Sequence, residues 1–267
     1  MNADALKALD QVVALARQRA VERVPVVGVA GPQGSGKTTL AKAYAVMHSG
    51  VVHFSLDDFY VGHARRAEWA RDGHPLLATR GPPPTHDIAS LTAIIERLRT
   101  AGPETRVSWP VFDKVKDDPI PQERWPVHVG RPDLILIDGW CIGAKPQDEA
   151  ALIAPVNRLE MQEDAEGHWR RLVNHRLGAE YSRLFGHFDG ILYLRAPSFA
   201  VVMDWRCEQE EGLLGRSLTA EDRQRIARFI EHFERITRHM MAGGRRADIE
   251  VQLDVERNVT EIRRFAV

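Results

Sequence analysis

The sharpest chemical signal in the chain is Gly31-Pro32-Gln33-Gly34-Ser35-Gly36-Lys37-Thr38, which fits G-x-x-x-x-G-K-[ST] in full. Gly31, Gly34 and Gly36 let backbone N–H groups turn inward around phosphate oxygens, and a helix starting where the string ends aims its positive dipole end at them. Ser35 and Thr39 join the same phosphate-binding set. In this pattern Lys37 reaches the β- and γ-phosphates and the Thr38 hydroxyl ligates Mg²⁺. The chemistry is that of holding a nucleoside triphosphate with its metal.

Two carboxylate positions extend it. Asp138 closes the apolar run Leu134–Ile137. There it either faces the phosphate loop, holding Mg²⁺ directly or through water, or ends the strand in a turn with Gly139. Asp138-Gly139-Trp140 lacks the acidic neighbour many ATPases use to activate water, and no Asn-Lys-x-Asp guanine-reading motif is present. Transfer to an organic acceptor is therefore expected over hydrolysis. The second position is Asp57-Asp58, straight after the apolar run Val51–Leu56. A carboxylate there lies beside the γ-phosphate, where an acceptor hydroxyl must lose its proton, or it caps a helix. A protein that only senses ATP and signals to a partner has no need of that base, so the acid pair favours an enzyme.

Strands and helices must carry these groups. Pro25–Ala30 reads as a strand before the phosphate loop, with a helix over Thr38–His48 after it. Val51–Leu56, Arg106–Trp109, Leu134–Ile137 and Gly190–Leu194 read as further strands, and Ile249–Leu253 as an edge strand. Helices are predicted at Ile88–Arg99, Trp169–Phe185, Phe199–Glu211 and Ala220–Met241, and Leu6, Leu9, Val13 and Ala16 fall at helical spacing. Thr219 suits the cap of the last long helix. The segments 73–85 and 110–132 are Pro-rich and predicted irregular, and long loops of this kind usually serve function. Alternating strands and helices predict an α/β fold with a mostly parallel sheet flanked by helices, one domain over 1–267.

Composition agrees. The 267 residues are 44% hydrophobic and 27% charged, with 36 basic and 37 acidic residues and a net charge of -1. That balance gives no basic excess for nucleic acid. Cys141 and Cys207 have no paired spacing, so free thiols in a reducing compartment are expected. No signal peptide or long apolar run is read, which predicts a cytoplasmic protein without a membrane anchor, monomeric or homodimeric. His168, His175 and His187 show no metal-ligand spacing.

The phosphate loop followed by Ser55-Leu56-Asp57-Asp58-Phe59-Tyr60 resembles the uridine kinase, phosphoribulokinase and pantothenate kinase superfamily of P-loop proteins. Adding Arg80-Gly81, Thr85-His86-Asp87, Pro110-Val111-Phe112-Asp113-Lys114, Gly130-Arg131-Pro132-Asp133 and Trp205-Arg206-x-x-Gln209-Glu210, the chain resembles plant-type D-glycerate 3-kinases and their bacterial and fungal relatives. The sequence departs from that pattern in three places: Asp138 stands for the usual Glu, Pro83-Pro84 for a glycine, and the segment after Lys114 is compressed.

The resemblance implies an ATP- and Mg²⁺-dependent kinase of a small metabolite, D-glycerate first, with a nucleoside, sugar or pantothenate-like alcohol as alternatives. It implies that Asp57 is the general base. It also implies that Arg206 and Arg216 belong to a helical lid over residues 204–218 that places positive charge on the transferred phosphoryl group. Arg206 is also spaced to pair with Glu210 on its own helix. The acceptor end is expected within residues 57–132, built from Asp58, Tyr60, Arg80, His86, Asp113 and Lys114. Arg80 or Lys114 would supply the cation that an acidic substrate needs. His86-Asp87 either contributes there or caps the helix starting at Ile88.

Overall fold

The computed structural model describes residues 3–265. Its strands are β1 (Val26–Ala30), β2 (Val51–Ser55), β3 (Arg106–Ser108), β4 (Phe112–Asp113), β5 (Asp118–Pro119), β6 (Val127–Val129), β7 (Leu134–Gly139), β8 (Gly190–Arg195), β9 (Ile249–Leu253) and β10 (Val259–Arg264). Its helices are α1 (Ala3–Arg19), α2 (Lys37–Met47), α3 (His63–Asp72), α4 (Ile88–Arg99), α5 (Arg158–Glu163), α6 (His168–Arg176), α7 (Ser182–Gly186), α8 (Phe199–Leu214) and α9 (Ala220–Met241). Six strands form one sheet in the order β10-β9-β8-β1-β7-β2, parallel except for the β9–β10 pair. This is the α/β architecture expected from the alternation of elements.

Every residue of the central strand β1 is buried, which is why it reads as an unbroken apolar run. The pleat sends Val27 and Val29 to one face, where they meet Leu9 and Val12 of α1 and Leu40 of α2. Val26 and Ala30 face the other core, with Leu91 and Ile95 of α4 and Phe233 of α9. Asp87 caps α4 by accepting a hydrogen bond from the Ser90 amide, and Thr219 with Asp222 forms a reciprocal capping box on α9. Cys141 and Cys207 are free and buried. No helix among the described residues is long and apolar enough to cross a membrane.

The structure corrects several expected elements. Arg106–Trp109 is not a strand of the main sheet; β3 pairs antiparallel with β6 alone. Only its Val107 is buried, too little apolar surface for a parallel strand covered on both faces. The β9 strand is not an edge, because β10 lies outside it. The alternating charges of Val259–Arg264 hid that outer strand. The expected helix Trp169–Phe185 is broken by a π-helical turn over Leu177–Tyr181. Helix α3 escaped notice because Arg66 is its sole buried residue, so its sequence has no apolar stripe. Leu56 leaves the second strand and opens a 3₁₀ turn, Leu56–Phe59.

Candidate active site

Strand order assembles the site. β7 lies between β1 and β2, with Asp138 level with Val29 on one side and Ser55 on the other. The phosphate loop, Asp138 and Asp57 therefore converge at the C-terminal ends of three adjacent parallel strands, where open α/β sheets place their ligands. The phosphate loop and Asp57 border a cavity of about 1100 Å³ whose wall includes Lys37, Thr38, Lys114, Arg206 and Phe229, with the fully buried Asp138 behind Thr38. A second cavity of about 1170 Å³, lined by Trp69, Ile88 and Leu172, includes none of the sequence-derived site residues except His86.

Helix α2 starts at Lys37 behind Gly36, whose φ of 86° is left-handed and which offers no capping side chain. The N–H groups of the first turn therefore receive no capping side chain, the arrangement an anion needs. Burial lowers the Lys37 ammonium below its ordinary range, against the opposing pull of Asp57 and Asp138. Among the described residues its Nζ hydrogen-bonds only to the Pro32 carbonyl, at 3.4 Å. The Thr38 hydroxyl donates to Asp138 Oδ2 at 2.6 Å, and His53 Nε2 lies 2.8 Å from Asp138 Oδ1. Among the described residues no cluster of three metal-ligating His, Cys, Asp or Glu exists. A nucleotide-borne Mg²⁺ needs only one or two hard oxygen ligands from protein. Thr38 and Asp138 are a hydroxyl and a carboxylate that could serve as that pair, and the buried Ser35 hydroxyl of the same loop has no hydrogen-bond partner among the described residues.

The 3₁₀ turn after β2 separates the two acids. Asp58 turns back and accepts a hydrogen bond from the Ser55 amide at 2.9 Å, so it caps the turn and is not part of the cavity wall. Asp57 is part of that wall. It accepts from Lys114 Nζ at 2.6 Å and from the Tyr60 hydroxyl at 2.9 Å. Burial works against its ionisation, yet Lys114 and Lys37 outweigh burial and hold the carboxyl well below the usual carboxylate range. His86 sits behind Tyr60, ring centroids 4.6 Å apart, with its Nδ1 2.6 Å from the Tyr181 hydroxyl. Burial pulls its imidazole down to about 4, so it is neutral at pH 7.

Asp58 carries a stability prediction. Burial raises its carboxyl from 3.8 to about 6. A raised folded value means the folded chain keeps a proton that the unfolded chain releases. The stabilisation is full below the unfolded value and is lost as pH rises through about 6. The shift bounds the effect at about 3 kcal/mol. Asp58→Asn is expected to remove this dependence, so its melting temperature should gain on wild type between about pH 4 and pH 7. Parallel melting-temperature profiles for the two proteins would refute it.

The remaining sequence-derived residues divide. Arg80 borders the cavity but is ion-paired with Asp117, which also holds Arg66 at 2.6 Å. Arg206 borders it too, held by Glu210 at 2.6 Å on its own helix, as the spacing allowed. Asp113 and Arg216 are not brought to it. The Asp113 carboxylate accepts from the Val115 and Lys116 amides and closes its own hairpin turn. Arg216 pairs with Asp222 at 2.7 Å, at the start of α9. Asp87, not His86, makes the cap of α4. The sequence reading missed Arg225, Phe229 and Phe233, which line the cavity from α9. Their i, i+4, i+8 spacing on one helix face was the available signal.

No family model matches the chain. The uncharacterized kinase mug58 of Schizosaccharomyces pombe is 32% identical over 221 residues, 78% of each chain. The chloroplastic D-glycerate 3-kinase of Arabidopsis thaliana is 26% identical over 254 residues, 87% of this chain; the match spans 53% of the plant protein's length. Among solved structures, the D-glycerate 3-kinase from Cryptococcus neoformans var. grubii superposes with a TM-score of 0.78 at 21% identity, over 99% of this chain and 100% of the other. That likeness establishes the shared fold, and the identity to mug58 establishes kinship. The chain belongs to the kinase family of mug58 from Schizosaccharomyces pombe, and it shares its fold with a solved D-glycerate 3-kinase.

Proposed function

We propose that the chain transfers the γ-phosphoryl group of Mg·ATP to a hydroxyl of a small hydroxy acid, with D-glycerate the leading candidate. The observation that carries this reading is the convergence of Lys37 and Thr38, the latter bonded to the buried Asp138, with the Asp57–Lys114 pair at one cavity. Thr38 and Asp138 would hold the Mg²⁺, which when bound neutralises phosphate charge. Lys37 neutralises the β- and γ-phosphate oxygens from the protein side. Asp57 accepts the proton of the acceptor hydroxyl as that oxygen attacks the γ-phosphorus and the bond from phosphorus to the β–γ bridging oxygen breaks, releasing ADP. Segment 204–218 acts as the lid, bringing Arg206 to the phosphoryl group after release from Glu210. Residues 57–132 supply the acceptor end.

An acidic acceptor must meet a cation or its desolvation outweighs its contacts. Lys114 is the stronger choice, being exposed and held by a single carboxylate, whereas Arg80 shares Asp117 with Arg66. Lys114→Ala is therefore expected to raise KM for D-glycerate by about 10- to 100-fold, the value of one charged hydrogen bond, and Arg80→Ala by less. Tyr60, Trp140, Phe229 and Phe233 border the same cavity and favour a nucleoside as the second reading. The test is kcat/KM for D-glycerate, uridine and pantothenate under one Mg·ATP condition. D-glycerate giving no more ADP than the no-acceptor control ends the glycerate reading, and uridine outrunning it installs the second.

A further inference from the structure

We propose that Arg257, in the turn joining β9 to β10, is a positioning residue that holds the phosphate loop in its ligand-binding shape; this rests on the reading that the loop binds a nucleotide. Three contacts converge on its guanidinium. Nε donates to the Gly34 carbonyl of the phosphate loop at 2.7 Å. One terminal nitrogen pairs with Glu208 of α8 at 2.7 Å, and the group lies 4.9 Å from the ring centroid of Trp205 on the same helix. Trp205 is itself anchored, its indole N–H donating to the Val255 carbonyl at 2.8 Å.

Gly34 is thus caught from both sides. Its φ of 74° is left-handed, and a Cβ there would meet Trp205 Cβ at 2.5 Å. Because a peptide unit is planar, fixing the Gly34 carbonyl fixes the plane from which Ser35, Gly36 and the first turn of α2 depart. Those are the N–H groups that must face phosphate. A charge-assisted bond to a loop carbonyl stabilises that shape more than a neutral one does.

The backbone adds an independent argument. Arg257 adopts φ 67°, one of three non-glycine residues with left-handed backbone among the described residues. Glycine or asparagine fits such a turn with less strain, and a long cation there is accounted for by what its side chain reaches. Asp254 stabilises the turn separately, through the Asn258 amide at 2.7 Å. Arg257 is accordingly not required to close it.

Calorimetric titration of Mg·ADP into the whole chain reads the loop without any acceptor. Arg257→Ala is expected to raise Kd about tenfold or more while the melting temperature falls by no more than a few degrees. Arg257→Gly removes the same side chain and relaxes the backbone, so it should weaken ADP equally with a melting temperature at or above that of the alanine variant. Arg257→Lys keeps a charge for Glu208 but lacks the planar fork that serves Gly34 and Trp205 together, and its Kd should fall between. Wild-type affinity in the alanine and glycine variants overturns the proposal. So does weakening confined to a variant whose melting collapses. A wild-type chain that binds no ADP overturns the nucleotide reading, and this proposal with it.

Discussion

Lys37→Ala is expected to lower kcat/KM for Mg·ATP by about 10²–10³-fold or more, the usual effect of deleting one group aimed at transition-state charge. Phosphoryl transfer spreads negative charge over the outer oxygens of the moving group, and Lys37 is the cation the phosphate loop itself supplies. Its environment sharpens the expectation. The ammonium is desolvated, so its attraction for phosphate is less screened than at a surface, while Asp57 and Asp138 oppose the lowering of its pKa by burial. Its hydrogen bond to the Pro32 carbonyl is long, at 3.4 Å, and burial outweighs the attraction of Asp57 and Asp138 for its charge, so removing it should cost little stability. Lys37→Arg keeps the charge but is longer and planar, and should recover only part of the loss. Steady-state kinetics alongside thermal melting separate the outcomes. Near-normal turnover in a well-folded Lys37→Ala variant would end the nucleotide assignment.

The phosphate loop was legible because its chemistry is local: glycines, Lys37 and Thr38 act through the turn they themselves form. The flanking β1 and α2 were legible too, since strand, turn and helix follow one another within 25–48. The far side of the cavity was not. Arg257 lies in what reads as a polar surface turn, and only the β9–β10 pairing swings it onto Gly34. Arg225, Phe229 and Phe233 share a helix face, but the sequence does not say which partner that face meets. The hairpin after Phe112 shows a finer limit. Asp113 and Asp117 stand four residues apart, one closing the turn and the other gripping Arg66 and Arg80. Asp113 is in the two-residue ladder, whereas Asp117 lies in the turn between its strands with a left-handed φ of 58°, a backbone state that the sequence does not announce. The same holds for Asp57 and Asp58, neighbours in sequence with opposite orientations imposed by the capping box at Ser55.

That difference between neighbouring acids sets the second large effect. Asp57→Asn is expected to keep Mg·ADP affinity within a few-fold and to lower kcat by about 10²–10⁴-fold, the contribution of a positioned base. Asparagine keeps the shape: with its amide oxygen toward Lys114 it still accepts that bond, while its NH₂ faces the Tyr60 oxygen and can donate to it, so folding should survive. What it loses is the ability to take a proton. Because Lys114 and Lys37 outweigh burial, the carboxyl of the free enzyme stays ionised far below neutrality, and Asp57 protonation should produce no acid limb in kcat/KM above about pH 5. The same pairing makes Asp57 a weak base while Lys114 grips it. On the proposed reading an anionic acceptor would compete for Lys114, so that binding the right substrate would return basicity to the carboxylate at the moment of transfer. Asp57→Asn should therefore suppress turnover with D-glycerate far more than any slow hydrolysis of ATP without acceptor. Asp58→Asn, which alters a turn cap outside the cavity wall, is expected to stay within about tenfold of wild type, since it touches only the support of the base. A crippled Asp58→Asn beside a mild Asp57→Asn, with both folded, would move the base to Asp58 and overturn the assignment.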